Sequence, residues 1–277
     1  MNTNLKNQYN DLTVYYANKL ARSYYKFSLE EQKVLHLIFG QINPYGNNPT
    51  VFKLNKLEFF NKLELESQDR YNRYRRLVRA LINKTFFEIK DEQGGELMGV
   101  VVYSSYWKPK EPYFEVSLNP NFMPYLEQLV KNYTKINLDS ALKLKSKYSL
   151  SLYKWLCSWT NESKNQNQRY ITTRDLKELL GLSVDAYTYR GNFNRADFER
   201  RTINPAINEI NNKTNLMQEL KKQKKGNKIL NYEFIWIQKE NSNLKKENPV
   251  GKSKSILSKS NLSKNEIEKV LQNIDSH

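Results

Sequence analysis

Residues 194–212 read Asn194-Arg195-Ala196-Asp197-Phe198-Glu199-Arg200-Arg201-Thr202-Ile203-Asn204-Pro205-Ala206-Ile207-Asn208-Glu209-Ile210-Asn211-Asn212. Wound at about 100° per residue, Phe198, Ile203, Ala206, Ile210 and, at the edge, Ile207 fall on one arc. Asn194, Arg201, Asn204 and Asn208 lie broadly opposite, and Arg200 borders them. The pattern predicts an amphipathic helix from about Phe193 to Asn212, apolar inward and cationic outward. Pro205 removes a backbone donor, so a bend is expected near Arg201. That leaves 194–201 as the half better placed for contacts.

Downstream, Lys221, Lys222, Lys224, Lys225 and Lys228 surround Gly226, and Ile229 to Ile237 reads as a strand. The lysine-rich stretch 221–228 is expected to be the turn of a hairpin. Upstream, a helix is expected from Ser149 to about Asn161. Another begins at Thr172, with Asp175 three residues on, and stops at Gly181, a natural residue for a helix exit.

The same order of elements occurs earlier. Ser28 and Glu31 form a capping box, followed by the apolar stripe Val34, Leu35, Leu37, Ile38 and Ile42. Asn43-Pro44-Tyr45-Gly46 makes a turn, Val51 to Leu54 a short strand, and Asn55 caps a helix through Leu63. A polar turn at 64–69 precedes a basic helix, roughly 69–83. In that helix Tyr74, Leu77, Val78 and Leu81 share one side, Asn72, Arg76 and Arg79 the other, and Arg75 the flank. Phe86 to Lys90, the turn Gln93-Gly94-Gly95 and Met98 to Tyr106 then read as a hairpin. Short matches reinforce the correspondence: Lys26-Phe27-Ser28-Leu29 with Lys147-Tyr148-Ser149-Leu150, and Lys33-Val34-Leu35 with Lys154-Trp155-Leu156. The offset from Lys26 to Lys147 and from Lys33 to Lys154 is 121 residues in each case. Asn83-Lys84-Thr85 recurs as Asn212-Lys213-Thr214. These matches point to duplication.

Helix, helix, basic helix, hairpin is the order of a winged helix-turn-helix, in which two helices buttress a third whose solvent face enters a major groove. The expected fold is therefore α+β, two tandem winged-helix domains at 1–125 and 126–240, with a basic tail at 241–277. Arg suits bidentate pairing with guanine and Asn with adenine. The candidate base readers are Asn194, Arg195, Arg200, Arg201, Asn204 and Asn208 in the second domain, and Asn72, Arg75, Arg76 and Arg79 in the first. The five hairpin lysines are expected to grip phosphates, positioning the protein without reading sequence.

Composition agrees with a polyanionic partner. The 277 residues carry a formal net charge of +16; a basic face of that kind releases counterions from nucleic acid or attracts anionic lipid. Residues 1–125 hold 17 Lys+Arg against 13 Asp+Glu, and 126–240 hold 21 against 12, so the second domain is the stronger electrostatic candidate. A lone Cys157 points to a reducing compartment. No apolar run approaches the roughly 20 residues needed for a membrane span, and a cytoplasmic location is expected.

Catalytic inventory is thin. His36 and His277 are the only histidines, too few for a nickase built on a His-hydrophobic-His metal pair. His36 fits core-edge packing. Gly251-Lys252-Ser253 resembles the end of a phosphate loop, but Lys246 stands where the first glycine is needed. No catalytic centre, metal, cofactor or small-molecule substrate is expected.

These residues resemble the iteron-plasmid replication initiators, theta-type Rep proteins with two winged-helix domains. The similarity covers about residues 9–237. It is carried by Val14 to Leu20 and Phe27 to Leu35, by Ser151-Leu152-Tyr153-Lys154-Trp155-Leu156, and most specifically by Asp197 to Asn211. The resemblance implies binding to directly repeated origin sequences (iterons), opening of a nearby AT-rich region, and recruitment of the host helicase and initiator. It also implies repression of the protein's own promoter by a dimer joined through the N-terminal domain. By position, Asn194, Arg200 and Arg201 inherit the reader role. Ala196 and Glu199 stand where relatives carry further basic residues, so the preferred base sequence does not transfer.

A winged-helix repressor without initiator activity is the alternative. Direct repeats beside an AT-rich stretch in the flanking DNA favour the initiator, and one short palindrome favours the repressor. RNA binding would prefer stacked aromatics on an exposed sheet, whereas Tyr71, Tyr74, Phe198 and Trp236 fit core patterns. In the tail, Ser263 and Glu266 form a capping box ahead of Ile267, Val270, Leu271 and Ile274. That helix either docks on a replisome partner or packs on its own domain.

Overall fold

The computed structural model describes residues 13–21, 27–64, 69–90, 95–127, 133–225 and 228–239. The expected tail helix, and the hairpin-turn residues Gln93, Gly94 and Gly226, lie outside them. The chain divides into two units between Leu142 and Lys143.

In the first unit, β1 (Thr13–Ala17) runs into α1 (Asn18–Ala21). Helix α2 (Leu29–Phe39) opens on the expected capping box. Ser28 Oγ accepts from the Glu31 amide at 3.2 Å, and Glu31 Oε2 accepts from the Ser28 amide at 2.8 Å. Strand β2 (Val51–Asn55) leads to α3 (Lys56–Lys62), capped by Asn55 as expected. The basic helix α4 spans Arg70–Lys84. Then come β3 (Phe86–Lys90), β4 (Glu96–Val100), β5 (Val102–Trp107) and β6 (Tyr113–Leu118), a 3₁₀ turn at Pro120–Tyr125, β7 (Tyr133–Asn137) and α5 (Leu138–Lys143).

The expected strand from Met98 to Tyr106 is two strands in two sheets. β4 pairs with β3 as the hairpin, whereas β5 joins a three-stranded sheet in the order β2-β6-β5. The break falls at Val101, whose amide donates to Thr85 O at 2.9 Å and whose carbonyl accepts from the Asn119 amide at 2.8 Å. Those bonds turn the chain out of one ladder and into the next. The boundary between units also falls later than 125/126. β7 pairs antiparallel with β1, Thr13 opposite Asn137, and so binds residues 133–137 to the first unit.

In the second unit α6 (Lys147–Trp159) is capped by Ser146. After β8 (Asn167–Thr172), Thr172 caps α7 (Thr173–Leu179) through the Asp175 amide at 3.1 Å. Gly181 follows at φ 67°, as its place beyond the helix end requires. A small hairpin, β9 (Thr188–Tyr189) and β10 (Asn192–Phe193), occupies the connection between Gly181 and the basic helix. The long basic helix is α8 (Arg195–Phe198), a π-helical turn (Glu199–Ile203) and α9 (Asn204–Lys213). Where a bend is expected near Arg201, the helix runs through a π turn just ahead of Pro205, and the proline leaves the Arg201 carbonyl without its helical donor.

β11 (Leu216–Lys225) and β12 (Lys228–Gln238) complete the unit in a sheet of order β11-β12-β8. The lysine-rich stretch is therefore mostly strand, not turn. Leu150, Tyr153, Leu156, Phe198, Ile210, Phe234 and Trp236 form the core under this sheet, each at most 1% exposed. Each unit holds helices, a basic helix and a hairpin in the expected order: the fold is two tandem winged-helix domains.

Candidate nucleic-acid interface

The basic helix of the first domain is oriented by its buried stripe. Tyr74, Leu77, Val78 and Leu81 face inward, as their spacing requires. The Tyr74 ring lies 4.6 Å from Trp107 and 4.8 Å from Phe114, and its hydroxyl is 2.6 Å from Ser105 Oγ. Burial pushes that phenol's pKa up. On the far side, Asn72, Arg75, Arg76 and Arg79 are exposed and together line an open concavity of about 290 Å³. The structure brings together all the candidate readers of this domain. Glu30, at the start of α2, takes Arg73 and lies 3.5 Å from Arg76 Nη2. Glu31 closes the capping box and also holds Lys84 at 2.8 Å. One helix start thus braces both ends of the basic helix.

In the second domain Asn194 caps the reading helix, its Oδ1 accepting from the Asp197 amide at 3.0 Å. The Asp197 carboxylate then holds two arginines through the same oxygen: Arg201 Nε at 2.8 Å and the Arg200 guanidinium. The hydrogen bond from Arg201, seconded by that from Arg200, keeps this carboxyl below the usual aspartate range. Arg200 and Arg201 remain 68% and 60% exposed, while Asp197 is only 14% exposed. The carboxylate lies beneath and the guanidinia project. Asn204 and Asn208 are also exposed, with Asn208 Oδ1 accepting from Asn212 Nδ2 at 2.6 Å. Arg195 differs: it is half-buried, with its guanidinium 5.7 Å from the Phe193 ring centre. Sequence reading missed Asp197, although its spacing to Arg200 (i,i+3) and Arg201 (i,i+4) is a helical pairing signal.

The wing lysines do not form one cluster. Successive residues of a strand point to opposite faces, and Lys222, although exposed, stands opposite Tyr232 in the register and shares its face. Both reach Glu199: Lys222 Nζ at 2.6 Å and Tyr232 Oη at 2.9 Å. Glu199 is 8% exposed and forms a buried tie between the π turn and the wing. Burial, and then donation to that carboxylate, push the Tyr232 phenol well up. Lys221 lies beside Glu233 in the register on the other face, and a bulge between Gln223 and Lys224 resets the alternation. Lys224 is exposed, and the side chains of Lys225 and Lys228 lie outside the described residues.

His36 and Cys157 are both buried, as their apolar neighbours suggest. Burial raises the Cys157 thiol to about 12.

A pair of winged-helix domains, each with a cation-faced helix, defines the class of protein. Comparison gives the family. The description "Initiator Replication protein, WH1" matches residues 13–157 and "Initiator Rep protein, WH2" matches 172–236. The chain belongs to the initiator replication protein family. It is 25% identical over 187 residues to a "Replication initiation protein" of Escherichia coli, covering 65% of this chain and 58% of that one. It is 32% identical over 143 residues to the "PI protein" of Escherichia coli, covering 47% and 46%. The chain therefore spans about half the length of the curated relatives it matches. Among solved structures, the Pi initiator protein in complex with iteron DNA superposes with a TM-score of 0.70 at 22% identity, over 83% of this chain and 99% of that one. That likeness is one of fold.

Proposed function

We propose that this protein initiates plasmid replication by binding directly repeated origin sequences in double-stranded DNA, with the second domain as the main reader. The observation that carries the reading is the Asp197-held pair Arg200 and Arg201, exposed on a helix whose other face is buried. A guanidinium fixed before binding loses less rotamer freedom on pairing with a guanine edge. Asn194, Asn204 and Asn208 add amides suited to adenine. The first domain adds Asn72, Arg75, Arg76 and Arg79, and its dimer contact would serve repression of the protein's own promoter. Lys221, Lys224, Lys225 and Lys228 hold phosphates, while Lys222 acts chiefly as a brace through Glu199. Origin opening and recruitment of host helicase and initiator follow binding in this scheme, in the cytoplasm.

The test is a footprint of the full-length protein on DNA upstream of its own coding region. Protected direct repeats beside an AT-rich stretch are expected. Protection of one short palindrome alone would favour a repressor, and failure to prefer any site over bulk DNA at moderate ionic strength would overturn both. Arg201→Ala should cost about 1–3 kcal/mol at the preferred site and relax base preference.

A further inference from the structure

The connection between α7 and the reading helix is unusually elaborate. A minimal helix-turn-helix needs roughly 3–4 residues there, whereas this chain runs from Gly181 to Asn194 and builds the β9–β10 hairpin. Its base is anchored on several sides. Lys177 Nζ donates to Val184 O at 2.7 Å and lies 4.1 Å over the Phe193 ring. Tyr187 and Phe193 each approach the buried Phe198 ring to 5.6 Å. The Asn194 amide donates to Tyr187 O at 2.8 Å, joining the hairpin base to the residue that caps the reading helix.

The tip is the opposite. Tyr189 pairs with Asn192, which leaves Arg190 and Gly191 as the loop, at φ 49° and 79°. Both residues of such a tight turn need left-handed backbone, for which Asn, Asp and Gly are the usual choices. Gly191 meets that need, with open space where a Cβ would stand. Arg190 does not, and its conformation costs about 1–2 kcal/mol. Yet it is exposed and makes no ion pair among the described residues. Tyr189 beside it is 60% exposed. A strained cation held out on a rigid stalk, where Asn would fold more easily, points to a ligand for the cation.

We infer that this hairpin tip is a further DNA-contacting element, with Arg190 taking a backbone phosphate and Tyr189 packing against the adjoining sugar edge. The inference rests on the reading of the Arg200–Arg201 face as duplex-binding. The tip lies in sequence immediately before that helix, and its base is bonded to Asn194, the residue that caps it. An anionic protein surface would offer the same charge, but contiguity with the reading helix favours phosphate.

The experiment uses the full-length protein and a duplex that the wild type selects from a randomised library, with a scrambled duplex beside it. Arg190→Asn removes the charge while suiting the turn, so folding is kept. The variant should bind both duplexes more weakly, with the slope of log K against log salt shallower by about 0.9 and the ratio between duplexes unchanged. Arg190→Lys should restore the slope, and Tyr189→Ala should weaken binding without changing it. Wild-type affinity and slope in Arg190→Asn would overturn the inference. So would intact DNA binding with lost plasmid maintenance, which would assign the tip to a protein partner. If the wild type selects no duplex at all, the proposed function itself fails, a result distinct from either.

Discussion

Asp197 sits under two arginines and presents no cation of its own, yet the proposed base reading depends on it. Replacing it with Ala frees Arg200 and Arg201, which must then be ordered on binding at about 0.5–1.5 kcal/mol each. The same change removes a negative charge from a face that meets phosphate. Asp197→Ala should therefore lower discrimination between preferred and scrambled duplexes by about 1–3 kcal/mol while leaving scrambled binding equal or tighter, measured by titration at fixed salt. An equal loss on both duplexes would show that Asp197 only holds the fold. The arginines themselves were legible, because helical periodicity displays them opposite Phe198 and Ile203. Lys222 was not. Its tie to Glu199 needs a strand in a stretch whose composition reads as a turn, and a partner distant in sequence.

Among elements, α2 shows what local signals can fix. Ser28 and Glu31 exchange hydrogen bonds as their spacing foretells. Ser28→Ala should cost about 1 kcal/mol, read as a lower urea midpoint for the first domain through Trp107 fluorescence in a background lacking the other tryptophans. An unchanged midpoint would mean the cap contributes nothing. Strand β8 shows the limit. Asn167-Gln168-Arg169-Tyr170-Ile171-Thr172 carries little apolar alternation, and pairing with β12, Asn167 opposite Trp236, imposes its extended form. Likewise Val100-Val101-Val102-Tyr103, within the expected strand, is an unbroken run of strand-favouring residues. Its division at Val101 comes from Thr85 and Asn119, partners that no window around Val101 contains.

At the scale of the molecule, the second unit keeps a high positive charge while holding two lysine side chains half-buried. Burial brings Lys154 and Lys239 down to about 8. Lys239 is held by the Asn211 carbonyl and, at 2.8 Å, by that of Thr214. An unfolded lysine keeps its proton to about 10.4. Between those values the two unfolded lysines bind more protons, so they make stability rise with pH from about 8 toward 10; the raised Cys157 thiol opposes them above about 9, one group against two. Below that window both states are charged and the cost of burying the charge is met in full. The urea midpoint of the second unit should climb between pH 8 and 9.5, followed through Trp155, Trp159 and Trp236 after Trp107→Phe. Lys239→Met should flatten part of that climb. A midpoint that falls across the window would refute this account.

The pairing of β1 with β7 ties together segments that leave the ribosome far apart in time. Val14 and Tyr16, fully and almost fully covered in the finished fold, have no strand partner until Asn137 has cleared the exit tunnel. A nascent chain arrested before Tyr133 carries an open strand edge with apolar side chains beside it, the kind of surface that chaperones bind and aggregates grow from. For this domain, that exposure ends only once synthesis has run far enough past Asn137 to bring residues 133–137 out of the tunnel.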